Sequence, residues 1–402
     1  MKILVVGAAG GMASGTIKDL LSSRSRHIDS IVAADMDQPR LETLEKELAD
    51  GRLCTMDLDV RDQMALMRAI EAADLCINAV PTFAGHQMAI FEACLRARCT
   101  YVDYGGMGDF TVMQKKQHAA WKAAGATAVL GLGSDPGTSN VVCKSVADRL
   151  DRIDRINLYW AAKKFGPESS VLVPPYNINT VMAEYANPST QFLDGALVQV
   201  PAQSGKETLE LPEPFGSTEF MYTQHSEPLT VPFSRGFADK GIREFTWKLH
   251  LPVREHEGWA ALVKAGFGDF AEPIDVNGTT VVPGDVLAAV LRRNIARHRQ
   301  DMPDVESFDV TFAIGTGERG GMRATTACAV LGAPDPLYAG YLDAATSMGL
   351  SIGVQLLADA PPAPGVWAPE EVYEPETFFR ELERRHFRVA RDFIVKRSTQ
   401  CD

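Results

Sequence analysis

The chain has 402 residues, of which 46 % are apolar and 23 % are charged, and its formal net charge is −12. This length and composition predict a globular protein of two domains, and the acidic balance disfavours a nucleic-acid partner. No apolar run is long enough to cross a bilayer, and the amino-terminal run ILVVG is too short for a signal peptide, so we expect no membrane partner. The seven cysteines are scattered without a C-x-x-C pair, which predicts neither disulfides nor zinc and favours a cytoplasmic location.

The first predicted element is a buried strand, ILVVG, that leads into a glycine-rich turn and then a helix. This order is the context of a dinucleotide-binding loop, in which the helix amino terminus faces a pyrophosphate. The spacing is G-x-x-G-x-x-A, through Gly7, Gly10 and Ala13, instead of the usual G-x-G-x-x-G. A plain glycine-rich turn is the alternative. The cofactor-binding residues predicted here are Gly7, Ala8, Ala9, Gly10, Gly11 and Met12.

The second predicted strand, SIVAAD, ends in an acid that bears on the choice of cofactor. Asp35 stands near the distance from the glycines at which an acid accepts hydrogen bonds from the adenosine ribose. An acid there repels a 2′-phosphate, so the pattern favours NAD, although Arg40 nearby leaves NADP open. Asp35 and Met36 are therefore predicted cofactor contacts. The alternative is that Asp35 only starts the turn DMDQP.

Strands and helices then alternate as far as the stretch TAVLGLG, which predicts a doubly wound parallel sheet. Ligands bind beyond the carboxyl ends of such strands, and here Gly, Asn and Asp residues follow several strands in turn. The further cofactor contacts predicted at these strand ends are Asp57, Asn78, Ala79, Val80, Pro81 and Gly105. Ordinary turn chemistry explains each residue singly, but their coincidence at successive strand ends favours a site.

From about residue 136 the pattern changes to strands broken by Pro and Gly, which predicts a mixed sheet with helices on one face. The stretch FDVTFAIGTGERGGMRATTACAVLG predicts a hairpin that turns within Gly315–Gly321 and then continues into a helix. APPAPGVWAPEE predicts an extended connector. PETFFRELERRHFRVARDFI predicts a terminal amphipathic helix over residues 375–394, with His386 as a packed residue.

Several motifs, in their order along the chain, resemble the saccharopine dehydrogenase family, and within it the short lysine 6-dehydrogenase-type members. They are INAV with Pro81, TYVDYGG, GLGSDPGTSN, NINTVMAEYANPS, VNGTTVVPGDVLAAVL, ATTACAVLG and GVWAPEEV. The resemblance implies an α/β protein with a Rossmann-type doubly wound parallel sheet, an inserted α+β substrate-binding and dimerisation domain, and a C-terminal segment that returns to the first domain. We therefore expect one domain of residues 1–135 plus about 335–402 and another of residues 136–334. The resemblance also implies a homodimer and an NAD(P)-dependent oxidoreductase acting at a C–N bond of an amino acid.

The chemistry of an amine oxidation indicates which side chains to seek. The amine needs a group that takes its proton, and an amino-acid carboxylate is best held by Arg. The catalytic candidates are Asp103, Tyr104 and Asp135, of which Asp135 lies in SDPG at the domain junction and has a turn role as its alternative. The predicted substrate-binding residues are Gly106, Tyr176, Asn177, Asn179, Arg235, Arg243 and Lys248. His250 and His256 are spaced like zinc ligands, but no third ligand with clear spacing accompanies them, so no metal is expected.

Three functions compete at this point. The leading hypothesis is an NAD(P)-dependent dehydrogenase or reductase of lysine, saccharopine or a related polyamine precursor, working through an imine. The second is homospermidine- or carboxyspermidine-type synthesis, in which the same hydride chemistry joins two amines; it requires an acidic pocket for a polycation, which the net charge does not localise. The third is a cofactor-binding sensor or assembly subunit without catalysis, supported by the altered glycine loop and by Met107, which replaces the histidine of the family's D-x-G-G-H.

Overall fold

The computed structural model describes residues 1–105, 108–167, 169–302, 305–332, 344–393 and 395–397, which form two large β-sheets and one small hairpin. The strands are β1 (Lys2–Val6), β2 (Ser30–Asp35), β3 (Leu53–Asp57), β4 (Leu75–Asn78), β5 (Thr100–Asp103), β6 (Thr127–Val129), β7 (Arg152–Phe165), β8 (Ser189–Leu193), β9 (Ala196–Val200), β10 (Glu207–Leu211), β11 (Gly216–Tyr222), β12 (Glu244–His250), β13 (Ile274–Val276), β14 (Thr279–Val281), β15 (Glu306–Arg319), β16 (Met322–Gly332), β17 (Gly365–Trp367), β18 (Arg388–Ala390) and β19 (Lys396–Arg397). The α-helices are α1 (Gly11–Leu21), α2 (Gln38–Leu48), α3 (Gln63–Glu71), α4 (Gln87–Ala97), α5 (Asp109–Lys115), α6 (His118–Ala124), α7 (Ser139–Ala147), α8 (Ile178–Ala186), α9 (Arg235–Ala238), α10 (Val253–Lys264), α11 (Pro283–His298), α12 (Ala344–Asp359), α13 (Pro369–Val372) and α14 (Pro375–Glu383).

The first sheet has seven parallel strands in the order β17-β6-β5-β4-β1-β2-β3. Its run β3-β2-β1-β4-β5-β6 is the strand order of a dinucleotide-binding fold, and the order reverses between β1 and β4. β1 is buried on both faces because Ile3 and Val5 pack in one apolar cluster with α1 and α12, whereas Leu4 and Val6 pack in another with α3 and α4. The predicted fold class is therefore confirmed.

The second sheet is mixed and has ten strands, with the path β18-β16-β15-β7-β12-β11-β10-β19 and the pair β8-β9 branching from β12. The long strand β7 pairs in parallel with β12 and antiparallel with β15. Residues alternate across these strands, so Trp160 and Trp247 face α8 while Tyr159 and Lys248 face the opposite side. This alternation decides which side chains of β7 and β12 can reach a ligand.

The predicted hairpin forms, but the helix predicted to continue from it is a strand. The turn lies at Gly320 and Gly321, which both have positive φ, and the chain then continues as strand β16 where a helix was expected. Residues 322–332 all pair with residues 309–319 of β15, so the backbone hydrogen bonds of the sheet override the local pattern.

The predicted terminal helix is also shorter than expected. α14 ends at Glu383, His386 adopts a positive φ of 67°, and Arg388–Ala390 then form β18 beside β16. The backbone turns away from the helix axis at His386. The following residues then form backbone hydrogen bonds with the edge of β16 instead of continuing the helix.

The C-terminal segment contributes to both sheets: β17 joins the first, whereas β18 and β19 join the second. α12 packs on α1, and the fully buried side chains of Arg385 and Asp19 form an ion pair at 2.8 Å that ties α1 to the end of the chain. The predicted domain boundaries stay a prediction. Within the described ranges, no helix has both the length and the apolar character needed to cross a membrane.

Candidate active site

A cavity of about 300 Å³ lies between the carboxyl ends of the first sheet and one face of the second sheet. Its cofactor end is formed by the loop and first turn of α1, by the loop after β4, and by Tyr104 and Gly105 after β5. Its substrate end is formed by side chains of β7, α8, β12 and the segment around residue 225. Ser134, Asp135 and Pro136 lie at the junction between the two ends.

The cofactor end begins with a loop in which small residues are required. Gly7 has a φ of +83°, and a Cβ there would lie 2.8 Å from the backbone of Ala79 and Val80. α1 starts at Gly11 without a side-chain cap, so its first amide groups are left for a ligand. Gly10, Gly11 and Met12 line the cavity, and Ala8 and Ala9 are buried beneath them. The loop therefore fits a dinucleotide pyrophosphate.

The predicted adenosine contacts lie at the ends of β2 and β3, outside the cavity lining. The Asp35 carboxylate accepts hydrogen bonds at 3.0 Å from the backbone amides of Ala9 and Asp37. Asp35 thus both holds the glycine loop and stands where an acid meets the adenosine ribose in this fold. The Met36 side chain is exposed nearby, and Asp57 is exposed at the end of the neighbouring strand.

The loop after β4 carries four of the predicted cofactor contacts into the cavity. Asn78 to Pro81 all line it. The Asn78 amide nitrogen donates to Gln87 Oε1 and Tyr101 Oη at 3.0 Å, and its oxygen accepts from the Val80 amide at 3.1 Å. Asn78 therefore fixes the loop that opposes Gly7.

The predicted catalytic residue Asp103 lies outside the cavity lining, in a buried network of hydrogen bonds. Its Oδ2 accepts from Tyr101, Gln87 and Gln114, at 2.8, 2.8 and 3.1 Å. Its Oδ1 accepts from the amides of Gly105 and Gly131 at 3.0 and 2.8 Å. Burial raises the pKa of Asp103 despite these donors. Both oxygens are occupied, so the geometry makes Asp103 a positioning group for the loop that carries Gly105.

The other two catalytic candidates do line the cavity. The Tyr104 hydroxyl lies 2.6 Å from Thr16 Oγ1 on α1. The Asp135 carboxyl is half-buried and accepts from Ser134 Oγ at 2.8 Å and Thr311 Oγ1 at 3.0 Å. Burial, with a contribution from the charge of Glu227, raises the pKa of Asp135 to about 8. Asp135 is therefore mostly protonated at neutral pH and can donate a proton to a ligand.

The substrate end combines aromatic rings with buried ionisable groups. Trp160, Tyr176 and Trp247 form part of its wall, together with Glu184 and His225. The Tyr176 hydroxyl donates to the Glu184 carboxylate, and burial raises the pKa of Glu184 to about 7. Aromatic faces and carboxylates both attract ammonium groups.

His225 carries the positive charge of this end. Its ring stacks on Trp247 with centroids 4.0 Å apart, and its Nδ1 is hydrogen-bonded to Glu227. Desolvation lowers the pKa of His225, but the charge and hydrogen bond of Glu227, with Glu184 and Asp135, outweigh it and raise that pKa to about 9. Three carboxyl groups thus surround one imidazolium.

Most predicted substrate-binding residues are not brought to the cavity. Arg235 is 95 % exposed and pairs with Asp239, and Arg243 is exposed before β12. Lys248 lies on the face of β12 opposite Trp247, where it pairs with Glu207 at 2.5 Å. Tyr176 and Asn177 do line the cavity, whereas Asn179 donates its backbone amide to Asn177 Oδ1. Gly106, like Met107, lies outside the described residues.

The sequence interpretation missed Trp160, Glu184, His225 and Trp247. One signal was available for Glu184, because an acid three residues after Val181 in the apolar stretch TVMAEYA falls on the buried face of the helix. The described residues hold no group of three or more His, Cys, Asp and Glu side chains arranged for a metal ion. His250 and His256 bond instead to the Glu219 carbonyl and the Tyr185 hydroxyl.

Comparisons with known proteins identify the family of the chain. Residues 3–129 match the model of the saccharopine dehydrogenase NADP binding domain, and residues 133–387 match that of the saccharopine dehydrogenase C-terminal domain. Two curated relatives are carboxynorspermidine synthases. The one from Vibrio alginolyticus is 27 % identical over 295 residues, which are 65 % of this chain and 63 % of the relative, so the match takes in less than two thirds of that protein. The one from Vibrio cholerae is 24 % identical over 332 residues, which are 72 % of each chain.

A solved structure with the same fold is the apo histidine-tagged saccharopine dehydrogenase (L-Glu forming) from Saccharomyces cerevisiae. It superposes with a TM-score of 0.71 at 14 % identity and covers 99 % of this chain and 100 % of its own. At this identity the likeness is one of fold. None of these three proteins is named a lysine 6-dehydrogenase, so the finer likeness to that type stays a prediction.

Proposed function

This chain belongs to the saccharopine dehydrogenase family of NAD(P)-dependent oxidoreductases, and we propose that its substrate is an amine with more than one ammonium group, of the carboxylated polyamine class. The reaction is the formation of a secondary amine by reduction of an imine. This is the second of the sequence hypotheses, and the names of the two Vibrio relatives support it.

The observation that carries the proposal is the chemistry of the substrate end. Among the described residues that line the cavity, the acids Asp135 and Glu184 and the rings of Trp160, Tyr176 and Trp247 are present, whereas Arg and Lys are absent. Such a wall suits a flexible cation, because the Glu184 carboxylate pairs with an ammonium group and the aromatic faces pack on the methylenes and the charge. The Glu184 carboxylate among aromatic rings is the feature of this wall that supports polyamine chemistry.

An amine condenses with an aldehyde, losing water to give an imine, and a hydride with one proton converts the imine to a secondary amine. When bound, reduced NAD(P) supplies the hydride. Asp135 holds a proton at neutral pH at the junction of the two ends and gives it to the nitrogen.

A second candidate is the leading sequence hypothesis, oxidation at the CH–NH group of a lysine-related amino acid. One observation favours it: the imidazolium of His225, stacked on Trp247, offers a cation to a substrate carboxylate. The same group would hold the carboxylate of a carboxylated polyamine, so His225 fits both substrates. The homodimer implied by the family resemblance also stays a prediction, which light scattering in solution tests.

The test compares the two substrate classes in one enzyme preparation. The absorbance of the reduced nicotinamide is followed with an amino-acid semialdehyde plus trimethylenediamine or putrescine, and in the opposite direction with lysine or saccharopine and the oxidised cofactor. We expect turnover that depends on both the aldehyde and the diamine, with the coupled amine identified by mass spectrometry. Turnover of lysine or saccharopine alone would move the assignment to the second candidate, and cofactor binding without any turnover would favour the sensor hypothesis.

A further inference from the structure

Three carboxyl groups lie at or beside the substrate end, and they differ in how much of their hydrogen-bonding capacity is already used. Glu227 is fully buried, and both of its oxygens are taken, Oε2 by His225 and Oε1 by Ser139 Oγ at 2.7 Å. Asp135 accepts from Ser134 and Thr311 and lies next to the cofactor end. Neither of these two groups is free to hold a charge at the far side of a substrate.

Glu184 is different. It is 2 % exposed, lines the cavity from α8, and receives one hydrogen bond, on Oε2, from the Tyr176 hydroxyl. Its other oxygen, Oε1, accepts no hydrogen bond from any residue that the structure describes. Because the Glu184 side chain lines the cavity, this oxygen is the carboxylate atom that is left for a ligand to donate to.

The surroundings of Glu184 indicate what that ligand is. Trp160 and Tyr176 line the cavity beside it, with ring centroids 6.3 Å apart in an edge-to-face arrangement. Burial raises the pKa of Glu184 to about 7, so a neighbouring cation would favour its ionised form. An ammonium on a short methylene chain satisfies both features, because the charge meets the carboxylate and the methylenes meet the rings.

We propose that Glu184 binds the second, non-reacting ammonium of a diamine substrate, with Trp160 and Tyr176 packed against the connecting methylenes. This inference rests on the proposed function, since it names the group that distinguishes a diamine from a simple amine. The reacting nitrogen is held at the other end of the site, near Asp135. The separation between that nitrogen and Glu184 therefore sets the length of diamine that the enzyme prefers.

The experiment is a cycle of two amines and matched variants, measured by calorimetry on the protein with reduced cofactor bound and no aldehyde present. Trimethylenediamine and propylamine have the same carbon chain and differ in the second ammonium. We expect the wild type to bind the diamine at least about tenfold more tightly, and Glu184→Gln to lose most of that ratio while binding propylamine as before. Glu272→Gln removes the same charge from an exposed position and should keep the wild-type ratio.

A second variant keeps the test decisive if the amide disturbs the site. Glu184→Asp retains the charge but withdraws it by one methylene, so the preferred diamine should change from trimethylenediamine to the longer putrescine. The inference is overturned if Glu184→Gln weakens the binding of both amines equally, or if neither variant changes the preference for the diamine. In both cases the proposed function stands as long as the wild type still prefers the diamine. Equal binding of the diamine and propylamine by the wild type overturns both proposals.

Discussion

The two ends of the cavity are formed by different kinds of residue. The cofactor end consists of backbone and small side chains: Gly7 at positive φ, the uncapped start of α1, and the loop from Asn78 to Pro81. The substrate end consists of large side chains with buried charge, among them Glu184, His225 and Trp247. A common cofactor needs only a close backbone approach and a few amides, whereas an individual substrate needs charges placed to match its own.

This difference makes distinct predictions for the two ends. Substitutions at the cofactor end should act through space and backbone conformation, and they should change cofactor binding. Substitutions at the substrate end should act through charge and proton transfer, and they should spare the cofactor. A substrate-end variant that weakens cofactor binding, or a cofactor-end variant that leaves cofactor binding unchanged, would contradict this division of roles.

The largest effect is expected at the junction of the two ends, for Asp135→Asn. Loss of the proton donor should lower kcat by about a hundredfold or more while the Kd of the reduced cofactor stays unchanged. Burial and Glu227 raise the pKa of Asp135 to about 8, so the wild-type reductive rate should fall as pH rises past that value. This alkaline limb should be absent in the variant.

The groups that face Asp135 are His225, Glu227, Ser134 and Thr311, of which His225 and Glu227 are charged. Asp194→Asn, in the exposed turn between β8 and β9, is the matched control and should match the wild type in rate and pH profile. A full rate for Asp135→Asn would show that another group donates the proton.

The next effect is expected for Gly7→Ala at the cofactor end. An alanine there must adopt a φ of +83° and place its Cβ 2.8 Å from the backbone of the loop after β4. The conformation costs about 1 kcal/mol and the contact forces the loop to move, so the Kd of the reduced cofactor should rise by about tenfold or more. Fluorescence titration with the reduced cofactor measures this Kd. Gly51→Ala, where no atom lies within 4 Å of the added Cβ, should bind as the wild type does.

The smallest effect is expected for Asp35→Ala, which separates two roles of one carboxylate. If Asp35 bonds the adenosine ribose, the variant should weaken NADH by about tenfold and discriminate less against NADPH, because a charged hydrogen bond and a repulsion are both lost. If it only holds the amides of Ala9 and Asp37, both cofactors should weaken equally. The ratio of the two Kd values decides between these outcomes.

Much of the cofactor end could be predicted from the sequence because it is local. An apolar run, glycines and a helix follow one another in the first 21 residues, and the strand ends carry their own turn residues. Asp103 shows the limit of this reasoning: it ends β5 as expected, yet Gln87 from α4 and Gln114 from α5 both donate hydrogen bonds to its carboxylate. Nothing in TYVDYGG indicates that these two glutamines face it.

The substrate end could not be predicted in the same way. Lys248 was chosen for its charge, but the register of β12 beside β7 directs Trp247 to the cavity and Lys248 to the other face. A shift of one residue in a strand exchanges its faces, and a cation pattern alone does not contain that register. Glu184 and His225 come from separate segments, and their charges interact only because the fold brings α8 near the segment after β11.

The sequence by itself thus determined the parallel sheet, the dinucleotide loop and the family, because apolar periodicity, glycine conformations and motif order are properties of neighbouring residues. Only the tertiary structure decided which charged groups are buried, which of them face one another, and which keep an oxygen open to a ligand. Those properties depend on long-range pairing and on the removal of water around each carboxyl group. The proposed substrate preference therefore depends on interactions between distant segments, such as the charge interaction of Glu184 with His225, that no short stretch of the chain contains.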